Sequence, residues 1–388
     1  MYRYYFKLLC AVIGIMTVTA SCNDIVDYND NYDDGMTSYG PPVITGVYDA
    51  NDTELTEPLE AADFGRFIML RGKNLSNITK IMLNDIEIVV DDVYATSTGA
   101  WLEVPAKAPE VISNKIYYTT ALGKTEYDFT VIIPDVQIKG LYNEMALPGS
   151  LAKVSGAYFD LHGFGRKETS KVIMNGEELA VQDVTDSEMT IAIPENATPN
   201  STIRFEWIGV NGQSAVTVPY ARKDDLIFAD WTGMYWGDGV LVSQPEAGQP
   251  PLLCGPYFYI KKPFGAWEWY TVFGAGFGIA DDIADNPEDY VFKFETCSNM
   301  NTPFPDCGDF GYLITFVNDT NKYCWNPSSE KSFNTFGEWC TVRIEFADLV
   351  ATQKPAGWCD FRMNFQPSME VDIEHCFSGF RIEKKLTD

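Results

Sequence analysis

Twice along this chain an apolar strand runs into a two-residue asparagine turn and comes back, as KIMLNDIEI at 80–88 and KVIMNGEELAV at 171–181. Asn84-Asp85 and Asn175-Gly176 are residue pairs that tolerate positive φ, which the tight turn of a two-stranded hairpin demands. Each hairpin sits in the same grammar. An opening strand comes first, then an apolar strand into glycine (FIMLRG at 67–72, LAKVSG at 151–156), then the hairpin, then a strand closing on Pro105 or Pro194. Further alternating strands follow, KIYYTTALGKTEYDFTVIIP and TIRFEWIGVNGQSAVTVPY. Short strands, frequent turn signals and almost no helical period define all-β sandwiches.

From residue 222 the composition changes. Seven of the nine tryptophans lie beyond position 230, at 231, 236, 267, 269, 325, 339 and 358; only Trp101 and Trp207 fall in the repeats. The remaining stretch of about 165 residues is long enough to build its own core. Its candidate strands, among them YFYIKK, WEWYTVFG, YVFKFETC and CDFRMNF, read as a third β-sandwich of jelly-roll type. The expected architecture is therefore all-β: two Ig-like β-sandwich domains in tandem, at 41–134 and 135–221, followed by a larger jelly-roll-like sandwich at 222–388.

The chain opens with Arg3 and Lys7, a short apolar run, and then Thr19-Ala20-Ser21-Cys22. The run is too short to span a bilayer comfortably. It resembles a bacterial lipoprotein signal over 1–21, in which Cys22 carries the lipid. Residues 22–40, rich in Asp, Asn, Tyr and Gly, read as an acidic flexible tether. They resemble the surface-export signal of Bacteroidetes lipoproteins, which implies the outer face of the outer membrane with the lipid as the only membrane contact. A formal net charge of −27 argues against nucleic acid, whose phosphates require a basic footprint. Of the other cysteines, seven (254, 297, 307, 324, 340, 359 and 376) crowd into the C-terminal part with no zinc-type spacing. They read mostly as small buried hydrophobes on strands, with pairing unassigned.

The stretch GAWEWYTVFG at 265–274 sets the functional question. Read as a strand, it places Trp267, Trp269 and Thr271 on one face and Glu268, Tyr270 and Val272 on the other. Two neighbouring indoles fill a core or form a flat platform. Gly265, Ala266 and the charge of Glu268 between them favour a platform. Trp325 stands in the turn-rich NKYCWNPSS beside Tyr323, Asn326 and Pro327, and is expected at the surface. An aromatic face stacks on the C–H face of a pyranose while amides and carboxylates bond its hydroxyls. Trp339 and Trp231 read as structural; Trp236 and Trp358 stay open. Neither repeat concentrates exposed aromatics or paired carboxylates, which gives both a spacer role.

These features resemble known families. G-x-N-L at 72–75 and I-x-L-N-D at 81–85 are similar to IPT/TIG-type Ig-like domains, and the second copy is a looser match. The C-terminal stretches YFYIKKPFGAWEWY, YVFKFETC, Y-x-W-x-P at 323–327, TFGEWCTVRIEFADL and GFRIEK resemble the glycan-binding domain of Bacteroidetes surface glycan-binding proteins of xyloglucan-utilisation type. That resemblance implies a non-catalytic lipoprotein that binds a polysaccharide, with Trp267, Trp269, Tyr270, Tyr323, Trp325 and Asn326 as glycan-binding residues. It also implies a TonB-dependent transporter system as partner, a monomer, and no cofactor or metal. Two departures stand out: two spacers where some relatives carry three, and FSGFRI in the closing strand where an acidic-amide pair is expected before the Phe. A glycoside hydrolase is the rival class and needs two facing carboxylates; Glu268, Asp306 and Asp309 are its candidates. A protein-binding adhesin is the third class, since Tyr and Trp also make protein hot spots. His162 and His375 fall in different domains, which argues against a histidine-dependent triad. The acidic DDIADNPEDY at 281–290 lacks EF-hand spacing and reads as a solvated loop rather than a calcium site.

Overall fold

The structure, a computed structural model, describes residues 37–166, 168–209, 212–228, 231, 235–304, 311–316, 321–327, 333–351, 354–355 and 357–386. The signal at 1–21, Cys22, most of the 22–40 tether, Cys307, Asp306 and Asp309 lie outside the described residues. The chain divides into two compact units, Met1–Pro134 and Asp135–Asp388. Among the described residues no helix is long and apolar enough to cross a membrane.

The first unit is a sandwich of antiparallel sheets. One contains β1 (Val43–Asp49), β2 (Phe67–Lys73), β3 (Tyr94–Ala95) and β4 (Gly99–Glu103), in the spatial order β1-β2-β4-β3. The other orders Ile86–Ile88, Ile78–Leu83, Lys115–Thr120 and Gly123–Asp128. Val47, Leu70 and Leu102 from the first sheet meet Ile81, Ile116 and Tyr118 from the second in a core without solvent contact. The hairpin turn forms where asparagine places it. Asn84 takes φ +56°, and its side-chain carbonyl accepts hydrogen bonds from the Ser113 and Asn114 amides at 2.9 and 2.8 Å. One expectation fails here. The outer face of β1-β2-β4-β3 carries Tyr48, Phe67, Trp101 and Tyr94, with Tyr94 56% and Phe67 47% exposed, so this repeat does concentrate surface aromatics.

The second unit joins the second Ig-like sandwich (135–221) to the C-terminal one. In the sandwich at 135–221, Asn175 and Gly176 both take positive φ at the hairpin, as a primed turn requires. Its apolar core runs without a break into Val242, Leu253, Tyr257, Cys297, Trp339 and Cys376 of the C-terminal sandwich. A buried ionic network locks the same junction. Glu144 accepts from Lys293 at 3.0 Å, Arg343 at 2.8 Å and Arg381 at 2.8 Å. Arg381 also reaches Glu295 at 2.6 Å and Glu383 at 2.5 Å, and Lys293 reaches Glu383 at 2.7 Å. Three carboxylates face three cations, so the burial leaves no net charge. Burial alone would raise the Glu144 carboxyl; Arg381, Lys293 and Arg343 reverse this and lower it to about 2. The module at 135–221 is thus packed against the C-terminal sandwich rather than strung before it.

The C-terminal sandwich has two five-stranded antiparallel sheets. The sheet that meets the Ig-like module orders Val240–Val242, Tyr257–Phe264, Val371–Lys384, Tyr290–Ser298 and Cys340–Glu345. The other contains β5 (Tyr235–Trp236), β6 (Tyr270–Gly278), β7 (Tyr312–Phe316), β8 (Asn321–Trp325) and β9 (Trp358–Phe365), in the order β5-β6-β9-β7-β8. Phenylalanines fill the space between them: Phe258 and Phe273 stack at 4.3 Å, and Phe361, Phe380 and Phe292 close round them. Trp231 stacks on Phe228 at 4.8 Å and packs on this core. Trp339 is buried and donates its indole N–H to the Pro251 carbonyl at 2.9 Å. Cys297, Cys340, Cys359 and Cys376 are buried, Cys254 is half-buried and Cys324 is exposed. Burial pushes the Cys297 and Cys340 thiols up to about 12, which makes them inert packing groups.

Candidate functional site: an aromatic face on the C-terminal sandwich

GAWEW is not a strand. It is the turn joining Tyr257–Phe264 to β6, which begins only at Tyr270. Trp267 adopts φ +63°, a left-handed backbone that costs a tryptophan about 1–2 kcal/mol. Two bonds hold it there: its amide donates to the Pro367 carbonyl at 2.8 Å, and its carbonyl accepts from the Gln366 side-chain amide at 2.9 Å. Glu268 fastens the turn from inside, accepting from Lys262 at 2.5 Å and from the Gly265 amide at 2.9 Å. Those bonds hold its carboxyl below the usual carboxylate range. Its two oxygens are thus committed to holding the turn. Trp267 is left 60% and Trp269 53% exposed. Both indoles thus face solvent, because of a turn rather than strand alternation.

Along β6 the faces separate cleanly. Phe273, Ala275 and Phe277 are buried in the core, so Gly274, Gly276 and Gly278 point outward. These glycines are a floor. A Cβ on Gly274 would fall 2.3 Å from the Trp236 ring, and one on Gly276 would fall 2.5 Å from the Trp358 ring. Each indole therefore lies down over bare backbone. Trp236, paired with Gly274, is 44% exposed; Trp358, paired with Gly278, is 74% exposed. Trp269 stands two residues before Thr271, which shares this outer face through its hydroxyl bond to Asn364 at 2.9 Å. From Tyr270, where the strand begins beside Trp269, to Gly276 is six residues, about 20 Å of strand. The half-buried Asp360 and Arg362 of β9 supply polar groups beside the rings, with the Arg362 guanidinium 5.8 Å from the Trp236 centroid, while Asn364 is buried.

Trp325 belongs elsewhere. It ends β8 opposite Tyr312 and is 5% exposed, wedged among Phe294, Phe304, Tyr312 and Phe333. The polar NPSS after it marks the end of the strand, not the exposure of its last residue. Tyr323, two positions earlier and on the same inward side, is half-buried against the same core. Asn326 follows Trp325, half-buried beside Gly311 and off the aromatic face. Tyr270 turns inward: its ring packs edge-on to Phe264 at 5.3 Å and its hydroxyl donates to the Asp238 carbonyl at 2.6 Å. Of the six expected glycan residues, only Trp267 and Trp269 lie at this face. Trp236 and Trp358 were not assigned by sequence; the alternate glycines of G-A-G-F-G at 274–278 were the signal for them. Trp325→Phe is expected to cost about 1–2 kcal/mol of stability. Equilibrium unfolding in urea reads that loss, and ligand affinity of the folded protein should not change.

Among the described residues no cluster of metal-type ligands gathers at this face. His375 is buried, bonded to Tyr312 and stacked on Phe304, and burial lowers it to about 3. In the 281–290 segment Asp282 is engaged by Tyr290, Asn286 and Lys384, and Asp285 by Lys354.

The β5-β6-β9-β7-β8 sheet thus carries the exposed indoles of Trp236 and Trp358 on its outer face, with those of Trp267 and Trp269 in the turn that enters β6. Residues 221–384 match the family described as surface glycan-binding protein B xyloglucan binding domain. The match covers the C-terminal sandwich and not the two Ig-like modules before it. Among solved structures, the chain is similar in fold to the surface glycan-binding protein PbSGBP-B from Prevotella bryantii, at 17% identity and TM-score 0.55, over 90% of this chain and 100% of that one. A protein from a complex xyloglucan utilization locus in Bacteroides uniformis aligns at 15% identity and TM-score 0.47, over 89% of this chain and 99% of that one. No curated protein matches the chain.

Proposed function

We propose that the chain captures a neutral polysaccharide, a hemicellulose or other β-glucan, on the outer face of the β5-β6-β9-β7-β8 sheet and does not cleave it. The observation that carries this is the set of four exposed indoles, Trp267, Trp269, Trp236 and Trp358, two of them laid on glycines of one strand. Flat aromatic faces hide the apolar face of sugar rings, while Asp360 and Arg362 address hydroxyls. The family's description makes xyloglucan the first ligand to try. Stacking on an open face gives shallow contacts of micromolar or weaker affinity, made useful by repetition along the polymer and over the cell surface. In this reading Cys22 carries the lipid and the 22–40 tether displays the protein on the outer membrane. The module at 41–134 is a spacer. The protein acts as a monomer beside a TonB-dependent transporter that takes up the glycan fragments.

Native-gel retardation of residues 23–388 on a panel of neutral plant, fungal and host polysaccharides tests this. Trp236→Ala, Trp267→Ala, Trp269→Ala and Trp358→Ala run beside wild type, each checked for folding. One glycan family should retard the wild type, with affinity falling about tenfold per indole removed, or about 1.4 kcal/mol. No reducing ends should appear on prolonged incubation. A wild type retarded by no glycan refutes the reading and favours a protein partner; release of reducing ends refutes its non-catalytic part.

A further inference from the structure

The first unit repeats, on its own outer face, the device seen in the C-terminal sandwich. Tyr48 of β1 pairs with Met69 of β2, Met69 with Trp101 of β4, and Trp101 with Tyr94 of β3. One cross-strand row therefore holds Tyr, Met, Trp and Tyr on the face opposite Val47, Leu70 and Leu102. Glycines seat the rings here too. A Cβ on Gly46 would come within 2.9 Å of the Tyr48 ring, and one on Gly99 within 2.9 Å of the Trp101 ring. Each glycine precedes its ring by two residues, and β1 and β4 run in the same direction, so both rings lie down the same way on either side of Met69. Tyr94 packs on Trp101 at 5.4 Å and remains 56% exposed. Arg71 and Glu103, exposed on the same face, flank the row.

We infer that this face of the first unit is a second glycan-stacking surface, taking a short stretch of a neutral β-linked chain across β1-β2-β4-β3. The occupant follows from shape and charge. Four strands set the row at about 14 Å, the reach of about three sugar residues. It is one side chain wide, far below the roughly 800 Å² per partner of a stable protein interface. A chain of net charge −27 repels anionic polymers, and the flanking Arg71 and Glu103 offer a donor and an acceptor to hydroxyls. The choice of a glycan over other occupants rests on the function proposed above.

The test uses the full chain with the C-terminal face disabled by Trp236→Ala, Trp267→Ala, Trp269→Ala and Trp358→Ala together, in gels cast with the polysaccharide that retards wild type. Residual retardation should remain, and adding Tyr94→Ala should weaken it several-fold. Tyr94 is exposed, so its removal leaves the fold intact; Gly99→Val, which pushes Trp101 off its seat, should act in the same direction. If the quadruple variant shows no retardation while wild type does, this inference falls and the proposed function stands. If the residual retardation is indifferent to both Tyr94→Ala and Gly99→Val, the inference falls as well. A wild type retarded by no glycan overturns both.

Discussion

Replacing Arg381 with methionine should destabilise the 135–388 unit by about 3–5 kcal/mol. Arg381 has no solvent exposure and bonds three carboxylates, Glu144, Glu295 and Glu383. Its removal leaves three buried negative charges facing Lys293 and the half-buried Arg343 alone. Breaking one partner out of such a network costs more than the network contributes, because the remaining ions stay buried and unpaired. Against a domain stability of about 5–15 kcal/mol, that loss is large enough to reduce recovery of folded protein. Urea unfolding followed by tryptophan fluorescence measures it. Arg381→Met combined with Glu295→Gln should recover part of the loss, since the two residues act as a pair. A cost below about 1 kcal/mol, the range of exposed pairs, would show that the junction is solvated. The network also sets an acid limit. Because Glu144 is lowered to about 2 from an ordinary 4.5, its contribution is complete above pH 4.5 and is lost as pH falls toward 2. Urea midpoints at pH 7 and pH 3 should therefore separate more for wild type than for Glu144→Gln.

Several parts of this architecture were legible in single residues. Asn84 and Asn175-Gly176 announced their hairpins because few residues accept those backbone angles. Trp339 and the buried cysteines showed themselves through alternation against aliphatics. What local sequence does not carry is the partner across the sheet. Trp325 looked exposed because a polar turn follows it, but pairing with Tyr312 sets its direction, and that pairing joins strands separated by unpatterned sequence. Trp236 and Trp358 lie on short or terminal strands with no pattern of their own; their surface is visible only once Gly274 and Gly276 lie beneath them. The ionic junction was further still from view, since Glu144 is 149 residues from Lys293 and 237 from Arg381. No window of the chain brings those charges together; the docking of two sandwiches does.

The glycines give the sharpest separation of binding from folding. Gly274→Val and Gly276→Val together should cut affinity for the captured glycan at least about 100-fold, or about 2.8 kcal/mol, without removing one aromatic residue. The three nearest atoms to a Cβ at Gly274 all belong to the Trp236 ring, and those at Gly276 all to the Trp358 ring. Neither glycine has positive φ, so a side chain meets no backbone penalty there. What yields is an indole at the surface, which swings off the sheet and takes its stacking face with it. The strand itself should gain. Glycine inside a strand costs about 0.5–1 kcal/mol in chain entropy, and valine is among the residues that strands favour. Thermal unfolding should thus show a midpoint equal to or above wild type, while native gels show retardation nearly gone. Loss of both stability and binding would mean that the indoles brace the sheet. Retention of both would mean that the glycan does not need Trp236 and Trp358 flat, which would leave the turn at Trp267 and Trp269 to carry the C-terminal site.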